Sequence, residues 1–245
     1  MRFDGQYEWQ IVVVKIVDFK FMNWIRSNWG WITVIIIGII PLIEVLGMIK
    51  IDFSGASETW FSMDTVTMHG RRHGEAAHQV PGAHVAVKET GEWAIRWIVV
   101  ILSMTPFGIL TGKKPSLWVR QAAGITAFIY ACLHFLFFCI DKSYMETFRD
   151  VSFILGLIAT LIMVVLAVTS NTKAMKSLRK SWKKLHRFAY LAGVLAVLHV
   201  ALLEHGDWLP YLIILIAGFI LRAKVIKEWF RVIRSRRDLQ NASSI

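Results

Sequence analysis

Residues 176–200 read KSLRKSWKKLHRFAYLAGVLAVLHV: five lysines and arginines, then His186, Arg187, an apolar run and His199. A basic cluster feeding an uncharged apolar run is the pattern of a membrane helix leaving the side on which positive charge is retained. An imidazole within hydrocarbon is costly unless it is paired, lines water or binds something, so His199 is a functional candidate by position alone. His186 lies at the wet boundary beside Lys183, Lys184 and Arg187, where the cost is small. Thirteen residues separate the two, roughly 20 Å along a helix and about 140° around it. A shared face therefore requires a bend, a π-bulge or a tilt.

The rest of the chain extends this reading. Apolar residues make up 56% of 245 and the mean hydropathy is +0.51. Six apolar segments, about 30–49, 93–112, 121–140, 151–169, 187–204 and 209–228, approach the length that crosses a hydrocarbon core. The expected fold is all-α: an integral membrane six-helix bundle.

A net charge of +11 in a soluble protein would suggest nucleic acid. Here its placement speaks for membrane topology instead. The connections 111–120 and 170–187 with the tails 1–28 and 222–245 hold 21 of the 28 Lys/Arg, against 6 in 50–92, 140–150 and 204–208. The positive-inside rule puts both termini in the cytoplasm, and the expected partner surface is lipid rather than nucleic acid.

The predicted organisation has three parts. Residues 1–28, apolar but carrying Lys15, Asp18, Lys20 and Arg26, form a cytoplasmic interfacial segment. Residues 29–228 form the transmembrane domain, with a periplasmic loop at 50–92. Residues 229–245 are a basic cytoplasmic tail, and the stretch from Arg222 onward emerges from the sixth span to lie along the inner leaflet. No cleavable signal peptide and no internal repeat is evident. Cys132 and Cys139, seven residues apart in one apolar stretch, are too far apart for a disulfide. No glycine-rich dinucleotide fingerprint or phosphate loop occurs.

His134 lies fourteen residues beyond the inner end of the third span and His199 thirteen beyond His186 in the fifth, so both sit at one depth near the outer face. Two neutral imidazoles facing each other across a bundle interior are what six-coordinate heme iron requires. The alternative is a pair of polar residues that tie helices together. Arg96, near the outer end of the second span, is placed to pair with heme propionates or to snorkel to lipid phosphate. Glu44, after Pro41 in the first span, suggests a proton path, a quinone contact or a neutral acid bonded to the backbone that the proline frees. In the loop, His69, His73, His78 and His84 form either a zinc-binding or a docking stretch. Trp93, Trp97, Trp118 and Trp208 read as interfacial anchors.

The runs TGEWAIRWIVVILSMTPFG (90–108), Leu133–His134, LAVTS (166–170) and SLRKSWKKLHRFAYLAGVLAVLH (177–199) resemble the heme-binding membrane subunits of periplasmic methionine sulfoxide reductase systems, in the ferric reductase-like transmembrane superfamily. The most specific element is Trp182-x3-His186-x12-His199. The resemblance implies a b-type cytochrome of the bacterial inner membrane with one or two hemes b. It implies His134 and His199 as outer-heme ligands and His186 as the inner fifth-helix ligand. FMN and a quinone are further implied cofactors, a quinone or a cytoplasmic flavin reductase the donor, and a periplasmic molybdopterin reductase-like protein the acceptor. The superfamily's inner third-helix ligand position is Arg120 here, so His186 either has another partner or serves a quinone or flavin. The rival readings are a transmembrane metal reductase, an electron-transfer subunit of another redox complex, and a transporter or assembly factor without heme.

Overall fold

The computed structural model describes residues 5–52, 61–68, 78–113, 115–141, 150–203 and 207–243. Helix α1 (Gly5–Gly47) leads to two short antiparallel ladders, β1 (Ile49–Ile51) with β2 (Phe61–Met63) and β3 (Thr65–Met68) with β4 (His78–Pro81). Helices α2 (Gly82–Thr111), α3 (Leu117–Asp141) and α4 (Val151–Val168) follow. The short α5 (Thr172–Leu178) and α6 (Lys180–Leu185) precede α7 (Phe188–Leu202), α8 (Leu209–Leu221) and α9 (Lys224–Ser243). Five helices are long and apolar enough to cross a membrane, α6 and α7 counting as one, and α8 with α9 forms a bent sixth candidate.

Two helical hairpins carry the bundle. Helices α2 and α3 pack most extensively, and α4 and α7 form the second pair. Alanines 123, 127 and 131 recur every four residues on α3, all buried in a core shared with Ala94, Trp97, Ile98 and Leu102 of α2. Small side chains on one stripe let the backbones approach, which is how helices associate where lipid removes the hydrophobic drive. Helix α1 adds to α3 at two glycines. A Cβ on Gly30 or Gly38 would come within 2.8 Å of Val119 or 2.7 Å of Thr126, and Tyr130 donates its hydroxyl hydrogen to Gly38 O at 2.6 Å. The outward face of α1, with Ile36, Ile40 and Ile43, is exposed as lipid-facing residues are.

The helix ends follow local chemistry. Asp150 caps α4 by accepting from Ser152 N at 2.8 Å. Gly112, with φ +79, closes α2 in the left-handed conformation and donates its N–H to Gly108 O. Pro106 inside α2 has no N–H to give Leu102 O. Arg222 supplies the missing donor, its Nη2 lying 2.5 Å from that carbonyl while Nη1 holds Gly218 O at 3.1 Å. Arg234 of α9 reaches back in the same way to Ile109 O at 2.5 Å. Two arginines from the C-terminal helices thus satisfy carbonyls on the last turns of α2.

Several expected boundaries move. Helix α1 runs unbroken through residue 28, so the N-terminal segment is continuous with the first span. No proline stands at the boundary, and Gly30 just beyond it is taken into the helix, where it packs on Val119. Helix α2 begins at Gly82 rather than 93 and absorbs the end of the polar loop. The remainder of that loop carries the two ladders, built on β-branched Ile49, Ile51, Thr65, Val66, Thr67 and Val80. The sixth apolar run is not one straight span to residue 228. It ends at Leu221, and α9 leaves at 73°, exposing Val225, Trp229 and Val232. The departure of the basic stretch from the sixth span is thus as expected, with the turn at Arg222.

Candidate functional site

Helices α3 and α7 bring His134 and His199 together, with ring centres 6.2 Å apart and ring planes crossed at 71°. Each ring is anchored to a helix backbone. His134 Nδ1 lies 2.8 Å from Val87 O of α2, and His199 Nδ1 lies 2.7 Å from Ser152 O of α4. A carbonyl only accepts, so both Nδ1 atoms carry the hydrogen and both Nε2 atoms keep a lone pair. This is the tautomer that metal-ligating imidazoles adopt, with the second nitrogen oriented by a backbone acceptor. A metal ion bound between two imidazole nitrogens at about 2 Å each holds the ring centres roughly 6 Å apart. The separation and the two uncommitted Nε2 atoms fit a metal ion that His134 and His199 would hold between them. The helix-tying role is met as well, since each ring bonds a backbone carbonyl of a neighbouring helix, His134 on α2 and His199 on α4, and that use of Nδ1 leaves each Nε2 for a ligand.

Both seats rest on glycine, and neither glycine was singled out from the sequence. A Cβ on Gly91 would lie 2.8 Å from His134 Nδ1, and one on Gly156 would lie 3.1 Å from His199 Nδ1. In each half the accepting carbonyl stands four residues before the glycine and 47 before the histidine. The two sets, Val87, Gly91, His134 and Ser152, Gly156, His199, are offset by a constant 65 residues. The α2–α3 and α4–α7 hairpins thus hold their histidines by the same contacts at the same spacing, and Ala127, Ala131 and Leu133 are matched by Ala192, Ala196 and Leu198 at that offset.

His186 is arranged differently. It stands where α6 meets α7, at a tight turn with three-residue bonds from Arg187 N to Lys184 O and from Tyr190 N to Arg187 O. Each 3₁₀ step turns about 120° instead of 100°, which carries His186 toward the side of His199. Both histidines reach α4: His199 at Ser152, His186 at Thr169, where Nε2 and Oγ1 are 3.2 Å apart. Thr169 spends its hydroxyl hydrogen on Val165 O at 2.8 Å, so His186 Nε2 is the donor. The ring also stacks on Trp182, centres 4.0 Å apart. Arg120, at the expected partner position, bonds Thr105 Oγ1 at 3.5 Å. The position 65 residues before His186 is Gln121, whose amide faces Met175 Sδ at 3.7 Å.

The other candidates fall at the loop end. Arg96 is held by Glu92 at 2.5 Å and lies over the Trp93 ring, so its charge already has a carboxylate partner. Glu44 of α1 stands close enough to Glu89 of α2 to act on its charge. His84 faces Asp141 at 3.1 Å, tying the start of α2 to the end of α3. His69, His73 and the His78 side chain lie outside the described residues, and the described residues hold no cluster of three or more metal-binding side chains. Trp97 is not an interfacial anchor: it is buried in the core with its indole N–H unpaired. Ser152 is equally buried, and its hydroxyl has no protein partner.

Residues 90–197 match the family model of the ferric reductase-like transmembrane component, a range that takes in Gly91, His134, Gly156 and His186 and ends two residues before His199. The chain is 32% identical over 166 residues to the protein-methionine-sulfoxide reductase heme-binding subunit MsrQ of Bordetella pertussis, covering 65% of this chain and 73% of that protein. It is 34% identical over 125 residues to the MsrQ of Xanthomonas campestris pv. campestris, covering 48% of this chain. The chain thus spans 57% of the length of that Xanthomonas relative. No solved structure matches. With the family match running from α2 into α7 and 73% of the Bordetella relative covered at 32% identity, the chain belongs to the ferric reductase-like transmembrane family as an MsrQ-type membrane protein.

Proposed function

We propose that this protein is a b-type cytochrome subunit of the bacterial inner membrane, passing electrons from the quinone pool or a cytoplasmic flavin reductase to a periplasmic molybdenum-dependent methionine sulfoxide reductase-like enzyme. The observation that carries the reading is the His134–His199 pair, with both Nδ1 atoms spent on backbone carbonyls and the ring centres 6.2 Å apart. Heme bound there supplies a one-electron ferric/ferrous couple near the outer face. The protein contributes the rest. His134 and His199 hold the iron, and the surrounding apolar core of α2, α3, α4 and α7 excludes water and sets the potential. The relatives named as heme-binding subunits of a methionine sulfoxide reductase support both the cofactor and the class of acceptor.

The basic ends of α2, α3, α4 and α7 face the cytoplasm in this reading, and both termini lie there. His186 marks the entry side, about 20 Å from the pair. It serves a second heme b, an FMN or a quinone. The ladders between α1 and α2, with the tips of α3 and α4, face the periplasmic acceptor. Arg96 is left to Glu92, and a propionate contact there requires that ion pair to open.

The test is an absorption spectrum of the purified chain with pyridine hemochrome stoichiometry. A sharp α-band on dithionite reduction, lost on His199→Ala, is expected. An unchanged spectrum and heme content in that variant refutes the assignment.

A further inference from the structure

We propose that Gly91 and Gly156 are positioning residues: paired, duplicated seats that hold His134 and His199 in crossed planes and set the electronic character of both imidazoles. The inference rests on the proposed heme at that pair and concerns how the chain holds its ligands.

The geometry of the two seats is the same in kind. Within a helix the carbonyl of residue i is engaged by the N–H of residue i+4. Val87 O and Ser152 O are such carbonyls, with Gly91 and Gly156 as their i+4 residues. Each also accepts a hydrogen from a histidine on the neighbouring helix, at 2.8 and 2.7 Å. The second hydrogen bond reaches the carbonyl only by passing over residue i+4. Any side chain there would occupy the path: the Cβ positions lie 2.8, 2.9 and 3.6 Å from His134 Nδ1, Cε1 and Cγ, and 3.1, 3.2 and 3.3 Å from the same atoms of His199. Of the glycines on these helices, Gly91 and Gly156 are the two whose Cβ positions meet a histidine ring. Gly124 on α3 has nothing within 4 Å of its Cβ position.

The seat acts on the ring in two ways. It fixes the rotation of the ring about its bond to the chain, because the Nδ1–Cε1 edge lies flat on the glycine. The seats belong to separate hairpins, and the planes they hold are 71° apart. It also draws Nδ1–H toward a helix carbonyl, which makes the imidazole a stronger donor to a bound metal and favours the oxidised state. Alanine at either seat pushes the ring off its carbonyl and removes both effects. The contact is closer at Gly91, so the larger change falls there.

The experiment uses the full chain in detergent, as wild type, G91A, G156A and the control G124A. The readouts are heme per chain, the low-temperature electron paramagnetic resonance signal of the ferric state and the midpoint potential by redox titration. Wild type shows the strongly anisotropic low-spin signal of crossed imidazoles. G91A shifts that signal and raises the potential or lowers heme content at least several-fold; G156A does the same to a smaller degree; G124A matches wild type. Wild-type signal and potential in both seat variants overturn the proposal while leaving the heme assignment intact. Absence of heme from wild type itself overturns the heme assignment, and the seats with it. Where G91A does not accumulate as folded protein, the milder G156A decides.

Discussion

The two ends of α7 each carry a histidine, and they differ in what the neighbouring helices offer. At the loop end His199 meets a glycine seat, a backbone acceptor for Nδ1 and a second histidine whose Nε2 is equally uncommitted. At the basic end His186 spends Nε2 on Thr169, stacks on Trp182, and has Gln121 rather than histidine at the duplicated position. The first arrangement leaves both Nε2 atoms uncommitted, as the proposed ligand pair requires. The second must break a hydrogen bond before Nε2 binds anything. One end is thus symmetric and the other asymmetric, and the difference lies in the side chains around two otherwise similar imidazoles.

The comparison breaks most visibly at the loop end. His199→Ala or His134→Ala should remove the heme of that site and its low-spin signal, measured by pyridine hemochrome and electron paramagnetic resonance. Next in size, His186→Ala should lower heme per chain by at most one and leave the crossed-imidazole signal in place; loss of that signal would mean that the two ends are one site. Arg222→Gln sharpens the contrast from the scaffold side. It strands the Leu102 carbonyl at the basic end, costs about 1–3 kcal/mol in thermal or denaturant unfolding, and should leave the spectrum unchanged. The smallest effect is expected from Arg96→Gln. Its i,i+4 pair with Glu92 is part-exposed and contributes about 0.3–0.5 kcal/mol, so heme content should stay at the wild-type level; a drop would place Arg96 on a propionate.

Much of this contrast was readable along the chain. The apolar runs announced the spans because backbone in lipid has to satisfy itself within a helix. Histidines at matched depth announced the pair because imidazole is rare in hydrocarbon without a task. The glycines were invisible for a physical reason: one glycine in an apolar helix looks like any other, and Gly91, Gly124 and Gly156 separate only once a neighbouring helix is in place. Trp97 misled in the same way. An aromatic near a predicted span end suggests an interface, but α2 starts eleven residues earlier than its apolar run, which moves Trp97 into the core.

By itself the sequence determined that this chain has helices that span a membrane, at which of their ends its positive charge collects, and at what height along them His134 and His199 stand, because those depend on hydropathy and on rise per residue. Only the tertiary structure decided which carbonyl each ring takes, which nitrogen is left over, that Arg96 belongs to Glu92, and that two hairpins 65 residues apart repeat one seat. Those are matters of rotation about helix axes and of which helices are neighbours, and no local pattern encodes either.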